Sequence, residues 1–398
     1  MNELKGGKRM KKIMTFAGCF LMILLCNSIS ACTVFNYTQN NNTLVGRNMD
    51  WNTEENYIIF FPSEGENFGR VYFGWGSYPS WYMGGMNDQG VMFAYLQAPY
   101  LEVKNSVNKP VYEGNYGNLM EKCMEECSSL SDVLVIFDQY NLQFLERGQI
   151  MVVDREGNSA IIGGDDITMK KGSYQVVTNF RPSNPQLGGY PCWRYTTAKI
   201  MLKQMNDLSI DYFTQICNQT HEEGTYPTIW SIVYDLHNYN IHLFHYHDYN
   251  HVIIFNLMQE LEQGEHIYSI PSLFEPDNNL PPYKPNKPLG ETSGISGREY
   301  HYTSLSTDPN GNDIYFQWDW GDEIGEWIGP INSEFKINTP HSWDNENEFE
   351  IRVRTKDIYG AESEWSDPLE VSMPKSINIF NPWLFRLIQR FPILDYFL

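Results

Sequence analysis

The chain has 398 residues, which is long for a single domain and predicts two or three. Its 49 acidic residues exceed its 28 basic residues and give a net charge of -21. A surface this acidic repels nucleic acids and anionic lipids, and the sequence has no basic stripe, so we expect no nucleic-acid partner.

Residues 1–31 have the three parts of an export signal. A basic segment ends at Lys12, the apolar run IMTFAGCFLMILLC follows, and small residues up to Ala31 supply a cleavage site. The apolar run is short for a membrane span, which needs about 20 residues. We therefore expect cleavage after Ala31, a mature chain that begins at Cys32, and a secreted or cell-surface protein.

The region 32–274 has a mixed α and β pattern. TVFNY and TLVGRNM predict two strands joined by an Asn-rich turn, and GVMFAYL, GQIMVVD and SAIIGG predict further strands. NLMEKCMEECSSLSDVLVIFDQYN and RYTTAKIMLKQM have helical apolar spacing, and Ser131 is the expected cap of a second helix in the first of them. TIWSIVYDLHNYNIHLFHYHDYNHVIIFNL predicts a closing set of antiparallel strands.

The rest of the chain divides into three segments. The Pro-, Asn- and Gly-rich stretch PDNNLPPYKPNKPLGETSG predicts a linker at 275–294, and short alternating runs predict a small all-β domain at 295–374. The tail 375–398 is apolar and aromatic. It fits a helix packed on the protein's own surface, or equally one that contacts a membrane surface or a partner.

Cys32 at a free N-terminus would carry a nucleophile and a base on one carbon. The α-amine titrates near pH ~8, so part of it is an unprotonated base within reach of its own thiol, and no histidine is needed. A cation near the sulfur lowers the thiol pKa, and a carboxylate near the amine holds the amine in place. Arg47 and Asp50 are candidates for these roles because the predicted hairpin returns its second strand beside Cys32.

Several segments of the sequence, beginning at Cys32, resemble one protein family. The dipeptide CT at position 32, followed after the next strand by GRNMD, resembles the choloylglycine hydrolase and penicillin V acylase family of N-terminal nucleophile hydrolases. GGMNDQGVMFAYLQAP, QVVTNF and CWRYTTAKIML resemble three later segments of that family, in order. The resemblance spans about residues 32–257. It implies an α+β fold, a four-layer αββα sandwich, and hydrolysis of a linear amide through a Cys32 thioester without a cofactor.

The resemblance also implies roles for three residues outside the hairpin. Asn179 would donate to the oxyanion through its side-chain amide, a backbone N–H near Gln97 would be the second donor, and Arg194 would be the supporting cation. Gln97 departs from the Asn or Tyr that is usual at its position. The segment between Asn179 and Arg194 is shorter than in bile-salt hydrolases, which use an extended arm for tetramer assembly, so the oligomeric state stays open. A small N-acyl amide is the implied substrate, with its acyl and amine groups open.

Two other functions remain open. The segment from Ile29 to Cys32 also fits a lipoprotein signal, in which the Cys32 thiol carries a diacylglyceryl group and the chain is a surface protein with an adhesion or binding role. An acyltransferase on the same fold would pass the acyl group to an amine instead of water. FQWDWGD and PHSW in the region 295–374 resemble PKD-like modules of the immunoglobulin type, which are usually spacers or adhesion units.

Histidines are concentrated in the closing strands. Strand alternation would place His245 and His247 on one face. No cysteine or carboxylate at ligand spacing completes a site with them, apart from the adjacent Asp248, so we expect no metal. The histidines of these closing strands are His237, His242, His245, His247 and His251.

Overall fold

The computed structural model describes residues 32–52, 55–75, 82–114, 119–224 and 226–373. The predicted export signal and the apolar tail 375–398 lie outside the described residues. The chain divides into two compact units, Met1–Pro276 and Asp277–Leu398. Among the described residues, no helix has the length and apolar character needed to cross a bilayer.

Antiparallel strands dominate the first unit. In chain order they are β1 (Thr33–Gln39), β2 (Asn42–Asp50), β3 (Asn56–Phe61), β4 (Arg70–Trp75), β5 (Tyr82–Asn87), β6 (Met92–Gln97), β7 (Gly148–Val153), β8 (Ser159–Ile162), β9 (Ile167–Met169), β10 (Tyr174–Val177), β11 (Thr228–Asp235), β12 (Asn240–His245), β13 (Asp248–Asn256) and β14 (His266–Ser269). They form a six-stranded sheet in the order β10-β1-β2-β11-β12-β13. The other eight form a second sheet in the order β14-β3-β4-β5-β6-β7-β8-β9.

Among the described residues, the first unit also contains helices. They are α1 (Met120–Glu126), α2 (Leu130–Phe137), α3 (Trp193–Gln204), α4 (Ile210–Gln219), α5 (Leu257–Leu261) and α6 (Ile270–Phe274). Short 3-10 turns lie at Gln143–Leu145 and Pro185–Leu187.

The packing gives four layers. Helices α3 and α4 share an apolar core with the six-stranded sheet, where the Phe213 ring lies 5.2 Å from that of Phe35. Helices α1 and α2 share another core with the eight-stranded sheet. The inner faces of the sheets meet each other, since the Phe73 ring contacts those of Trp230 and Tyr234. The predicted αββα sandwich is confirmed.

The β1–β2 hairpin forms as predicted, with Thr33 opposite Asn48 and Val34 opposite Arg47. The cap of α2 differs from the prediction. Ser129, not Ser131, is the N-cap, and its hydroxyl accepts from the Asp132 N–H. The Asp132 carboxylate in turn accepts from the Ser129 hydroxyl at 2.9 Å. The two residues therefore cap the N-terminus of α2 together.

The second unit is the predicted all-β domain of immunoglobulin type. Its strands are β15 (Tyr300–Ser304), β16 (Ile314–Asp319), β17 (Ile328–Ile331), β18 (Ile337–His341), β19 (Glu348–Asp357) and β20 (Leu369–Ser372). One sheet pairs β15 with β18, and the other has the order β17-β16-β19-β20. Trp318, Trp320 and Trp343 form much of the core. Part of the predicted linker pairs with these strands, since Leu289 bridges Thr303.

Candidate active site

Cys32 immediately precedes β1, in the interior of the six-stranded sheet. β1 lies between β2, which carries Arg47 and Asp50, and β10, whose extension carries Asn179. The Cys32 side chain is 2% exposed, and its backbone nitrogen donates to the Asn179 Oδ1 atom at 2.5 Å. Strand order therefore brings residues from three separate parts of the sequence to one cysteine.

The Cys32 sulfur lies in a dry environment. It is 3.7 Å from the Met49 Sδ atom, which also lies 3.4 Å from Arg47 Nη2. Burial raises the pKa of the thiol to about 11, and the Asp50 charge adds to this rise. Arg47 lowers this pKa, as predicted, but by less than burial raises it. The thiol therefore keeps its proton at neutral pH and needs a base to become a nucleophile.

Arg47 spans the gap between the two sheets. Its Nη1 donates to the Met83 carbonyl at 2.7 Å and its Nη2 to the Tyr95 carbonyl at 3.2 Å, while its guanidinium lies 5.0 Å from the Trp230 ring centroid. A Cβ atom on Gly84 would lie 2.0 Å from Nη1, so this site requires a glycine. These contacts hold a full positive charge on the β2 side of the cysteine.

Arg194, on α3, connects the other predicted residues. Its Nη1 lies 3.2 Å from Asp50 Oδ2 and 3.1 Å from the Thr33 hydroxyl, and its Nη2 lies 3.5 Å from Asn179 Oδ1. Its Nε is 2.8 Å from Glu222 Oε1, an ion pair that lacks hydrogen-bond alignment. Arg194 thus lies between two carboxylates and beside the residue that binds Cys32.

Asp50 is fully buried in this network. The Thr228 hydroxyl donates to its Oδ1 atom at 2.5 Å. Burial raises the pKa of Asp50 to about 7, although Arg194 and the Thr228 hydrogen bond both lower it. The carboxyl group is therefore near the balance between its neutral and charged forms at neutral pH.

Asn179 joins the ends of the two sheets. Its Nδ2 donates to the Gln97 carbonyl at 3.0 Å, while its Oδ1 accepts from Cys32. Gln97 takes part in this network through its backbone carbonyl. The N–H of the next residue, Ala98, donates to the Arg147 carbonyl at 3.0 Å. The Asn179 amide nitrogen carries two hydrogens, and one of them binds the Gln97 carbonyl.

Three further side chains, not predicted from the sequence, contact the candidate site residues. Gln149 donates to the carbonyls on both sides of Asn179, while Thr228 and Glu222 contact Asp50 and Arg194. The sequence did offer a signal for Gln149, because a lone glutamine in the buried strand β7 needs hydrogen-bond partners. Thr228 and Glu222 carried no signal, because their contacts depend on strand pairing.

The histidines of the closing strands do not share the strand face that was predicted for them. His245 ends β12, but Tyr246 and His247 form a two-residue turn with φ values of 43° and 67°, so the predicted alternation is wrong. The His247 ring lies 4.7 Å from that of His221. Within the described ranges, no group of three His, Cys, Asp or Glu side chains is arranged to hold a metal ion.

All five cysteines among the described residues are buried thiols outside any disulfide. Cys123 and Cys127 lie one helical turn apart at the end of α1. Cys192 lies at the N-cap position of α3 without a side-chain capping hydrogen bond, and Cys217 lies on α4.

Comparison with known proteins identifies both units. Residues 32–226 match the family model of linear amide C-N hydrolases, choloylglycine hydrolase family. The PKD domain of an M14-like peptidase from Thermoplasmatales archaeon SCGC AB-540-F20 is 44% identical and covers 24% of this chain and 99% of its own, with a TM-score of 0.23. This identity over a whole domain makes the second unit a PKD-type domain.

A penicillin V acylase structure from Agrobacterium tumefaciens also matches, at 16% identity and a TM-score of 0.42. It covers 59% of this chain and 90% of its own. A search of curated protein sequences gives no significant match.

Proposed function

We propose that this chain, whose residues 32–226 match the family model of linear amide C-N hydrolases, choloylglycine hydrolase family, hydrolyses its amide through Cys32. Cleavage after Ala31 would turn the Cys32 nitrogen into a free α-amine. One observation carries the proposal. The nitrogen of Cys32, and not only its sulfur, is held inside the network, 2.5 Å from Asn179 Oδ1.

The first step needs a base because the buried thiol is protonated at neutral pH. The α-amine of Cys32 takes the thiol proton as the sulfur attacks the amide carbon. Arg47 and the Asp50 N–H both favour the thiolate, so they stabilise charge as it develops on the sulfur. In its charged form, Asp50 offsets part of the positive charge of the α-ammonium group and Arg194.

The tetrahedral oxyanion accepts a hydrogen bond from the second Nδ2 hydrogen of Asn179. As it collapses, the C–N bond breaks and the α-ammonium group returns its proton to the leaving nitrogen. A thioester between the acyl group and Cys32 remains. Water then attacks the thioester, with the α-amine again as base, and releases the acid and the Cys32 thiol.

Export of the chain to the cell surface or outside the cell is part of this proposal, since a signal ending at Ala31 creates the amine. A diacylglyceryl group on Cys32 would occupy the same sulfur, so lipidation and amide hydrolysis exclude each other. The Cys32 nitrogen lies 2.5 Å from Asn179 Oδ1, and this place for an N-terminal amine in the polar network favours the enzyme. Acyl transfer would use the same thioester and differ only in the second nucleophile.

The substrate is proposed to be a small N-acyl amide, and a panel tests the reaction. The chain beginning at Cys32 is offered penicillin V, a glycine-conjugated bile acid, an N-acyl amino acid and an N-acyl-homoserine lactone, with and without an added amine. We expect hydrolysis of at least one, lost in Cys32→Ala, with an acyl adduct on Cys32 detected by mass spectrometry. Turnover that survives Cys32→Ala would overturn the proposal, and so would a diacylglyceryl mass on Cys32 of the exported protein.

A further inference from the structure

Thr228 lies directly opposite Asp50 in the pairing of β11 with β2. The register between these strands shifts between Thr228 and Trp230, which marks a β-bulge at this end of β11. Bulges re-aim side chains, and this one lies where the Thr228 hydroxyl meets the Asp50 carboxylate at 2.5 Å. The contact is buried, since both residues are 0% exposed.

The hydroxyl hydrogen of Thr228 has a fixed direction. The Thr228 oxygen accepts from the Glu222 N–H at 2.9 Å, and the Thr228 N–H donates to the Glu222 carbonyl at 2.9 Å. A hydroxyl has one hydrogen to donate, and with the Glu222 N–H on the oxygen, that hydrogen is directed to Asp50 Oδ1. A donor aimed at a carboxylate favours its charged form.

Glu222 extends the same unit to Arg194. Its backbone is tied to Thr228 in both directions, and its carboxylate lies 2.8 Å from Arg194 Nε. Arg194 Nη1 lies at the same time 3.2 Å from Asp50 Oδ2. The residues therefore close a ring in which Thr228 and Glu222 fix the two charged groups that the proposed mechanism uses.

Charged and titratable groups on several elements interact electrostatically with Asp50. Arg47 lies on its own strand, Arg194 on α3, Glu222 in the loop after α4, Cys32 before β1 and Tyr249 on β13. Burial raises the pKa of Asp50 to about 7 even with the Thr228 hydrogen bond in place, so loss of that bond would favour the neutral carboxyl group at neutral pH. The Thr228 hydroxyl is an uncharged donor to Asp50.

We propose that Thr228 is a positioning residue: its hydroxyl favours the charged form of Asp50 and aligns the carboxylate with Arg194, and its bonds to Glu222 hold the other edge of Arg194. The catalytic consequence of this inference rests on the proposed function. The effect of Thr228 on the charge of Asp50 does not, because that charge can be measured directly.

The experiment compares Thr228→Val, which removes the hydroxyl at nearly constant volume, with Thr228→Ser, which restores it. Thr214→Val is the matched control, because the Thr214 hydroxyl donates at 3.0 Å to the Ile210 carbonyl within α4. The pKa of Asp50 is measured by ¹³C NMR of the aspartate carboxyl carbons, with Asp50→Asn to assign the signal. The pH profiles of kcat and of kcat/KM are measured on a substrate that the panel identifies.

We expect Thr228→Val to raise the pKa of Asp50 by about one to two units, the equivalent of one hydrogen bond to a charged group. The acid limb of kcat/KM should move to higher pH by the same amount. Thr228→Ser and Thr214→Val should leave both near wild type.

An unchanged pKa of Asp50 in a folded Thr228→Val protein overturns the inference, whether or not the protein hydrolyses amides. A shifted pKa in a protein that turns over no panel amide supports the charge role of Thr228 and counts against the proposed function. Thermal melting checks that the variants are folded.

Discussion

The side-chain amide of Gln149 binds the backbone on both sides of Asn179. Its Nε2 donates to the Thr178 carbonyl at 2.7 Å and to the Phe180 carbonyl at 2.9 Å. Gln149 lies on β7 of the eight-stranded sheet, while Asn179 follows β10 of the six-stranded sheet. One buried amide therefore links the two sheets at the residue that contacts the Cys32 nitrogen.

Replacing Gln149 by Leu should loosen Asn179. We expect kcat/KM to fall about ten- to a hundredfold and the free energy of unfolding to fall by about 1–3 kcal/mol, because two buried carbonyls lose their donor. Gln175→Leu is the control, since the Gln175 Nε2 atom binds the Thr168 carbonyl away from the site. If both variants lose stability but neither loses activity, Gln149 has only a structural role.

Asn179 itself should be needed for rate. Asn179→Leu removes both the acceptor of the Cys32 nitrogen and the proposed oxyanion donor, and removal of one such donor costs about 10²–10³ in kcat. Asn179→Asp keeps the acceptor and removes the donor, so comparing the two by steady-state kinetics separates the two roles. Full activity in Asn179→Asp would contradict the donor role.

Gly84→Ala should damage the site through Arg47. The new Cβ would lie 2.0 Å from Arg47 Nη1 and 3.0 Å from the Phe93 carbonyl, so the guanidinium must move. We expect a loss of about 1–3 kcal/mol in unfolding free energy, as in other overpacked cores, together with lower kcat. Gly325→Ala is the comparison, because its nearest neighbour would be 3.5 Å from the new Cβ. Urea titration measures the stability, and equal losses in the two variants would count against the clash.

Asp50 should make stability depend on pH. Burial raises its folded pKa from 3.8 to about 7, so the native state binds more protons than the unfolded state between these values. The Asp50 contribution to stability is therefore full below pH 3.8 and is lost as pH rises toward 7. Urea unfolding at several pH values should show a fall across this window that Asp50→Asn lacks. The same slope in both proteins would show that Asp50 is ionised at lower pH.

Much of the site could be predicted because its parts are close in sequence. Arg47 and Asp50 share the strand that pairs with the one after Cys32, so a hairpin pattern was enough to bring the three together. Asn179 and Arg194 came from family resemblance, since nothing local marks an asparagine or an arginine as part of a site. The fold class followed from the same resemblance and from the alternation of strand and helix patterns.

The features of the site that could not be predicted depend mainly on long-range packing. Thr228 meets Asp50 only because β11 pairs with β2, a pairing between residues 178 positions apart. The Tyr246–His247 turn was missed because positive φ angles normally indicate Gly or Asn, and neither is present there. The net rise in the pKa of the Cys32 thiol was missed because burial outweighs the nearby Arg47 charge.

The central claim is that the α-amine of Cys32 is the base for its own sulfur. Two proteins test it most directly, one beginning at Cys32 and one that keeps Ala31 as a single extra residue, with both starts verified by mass spectrometry. Both should fold alike, and only the first should hydrolyse the substrate and form the acyl thioester. Equal activity in the protein that begins at Ala31 would contradict the account.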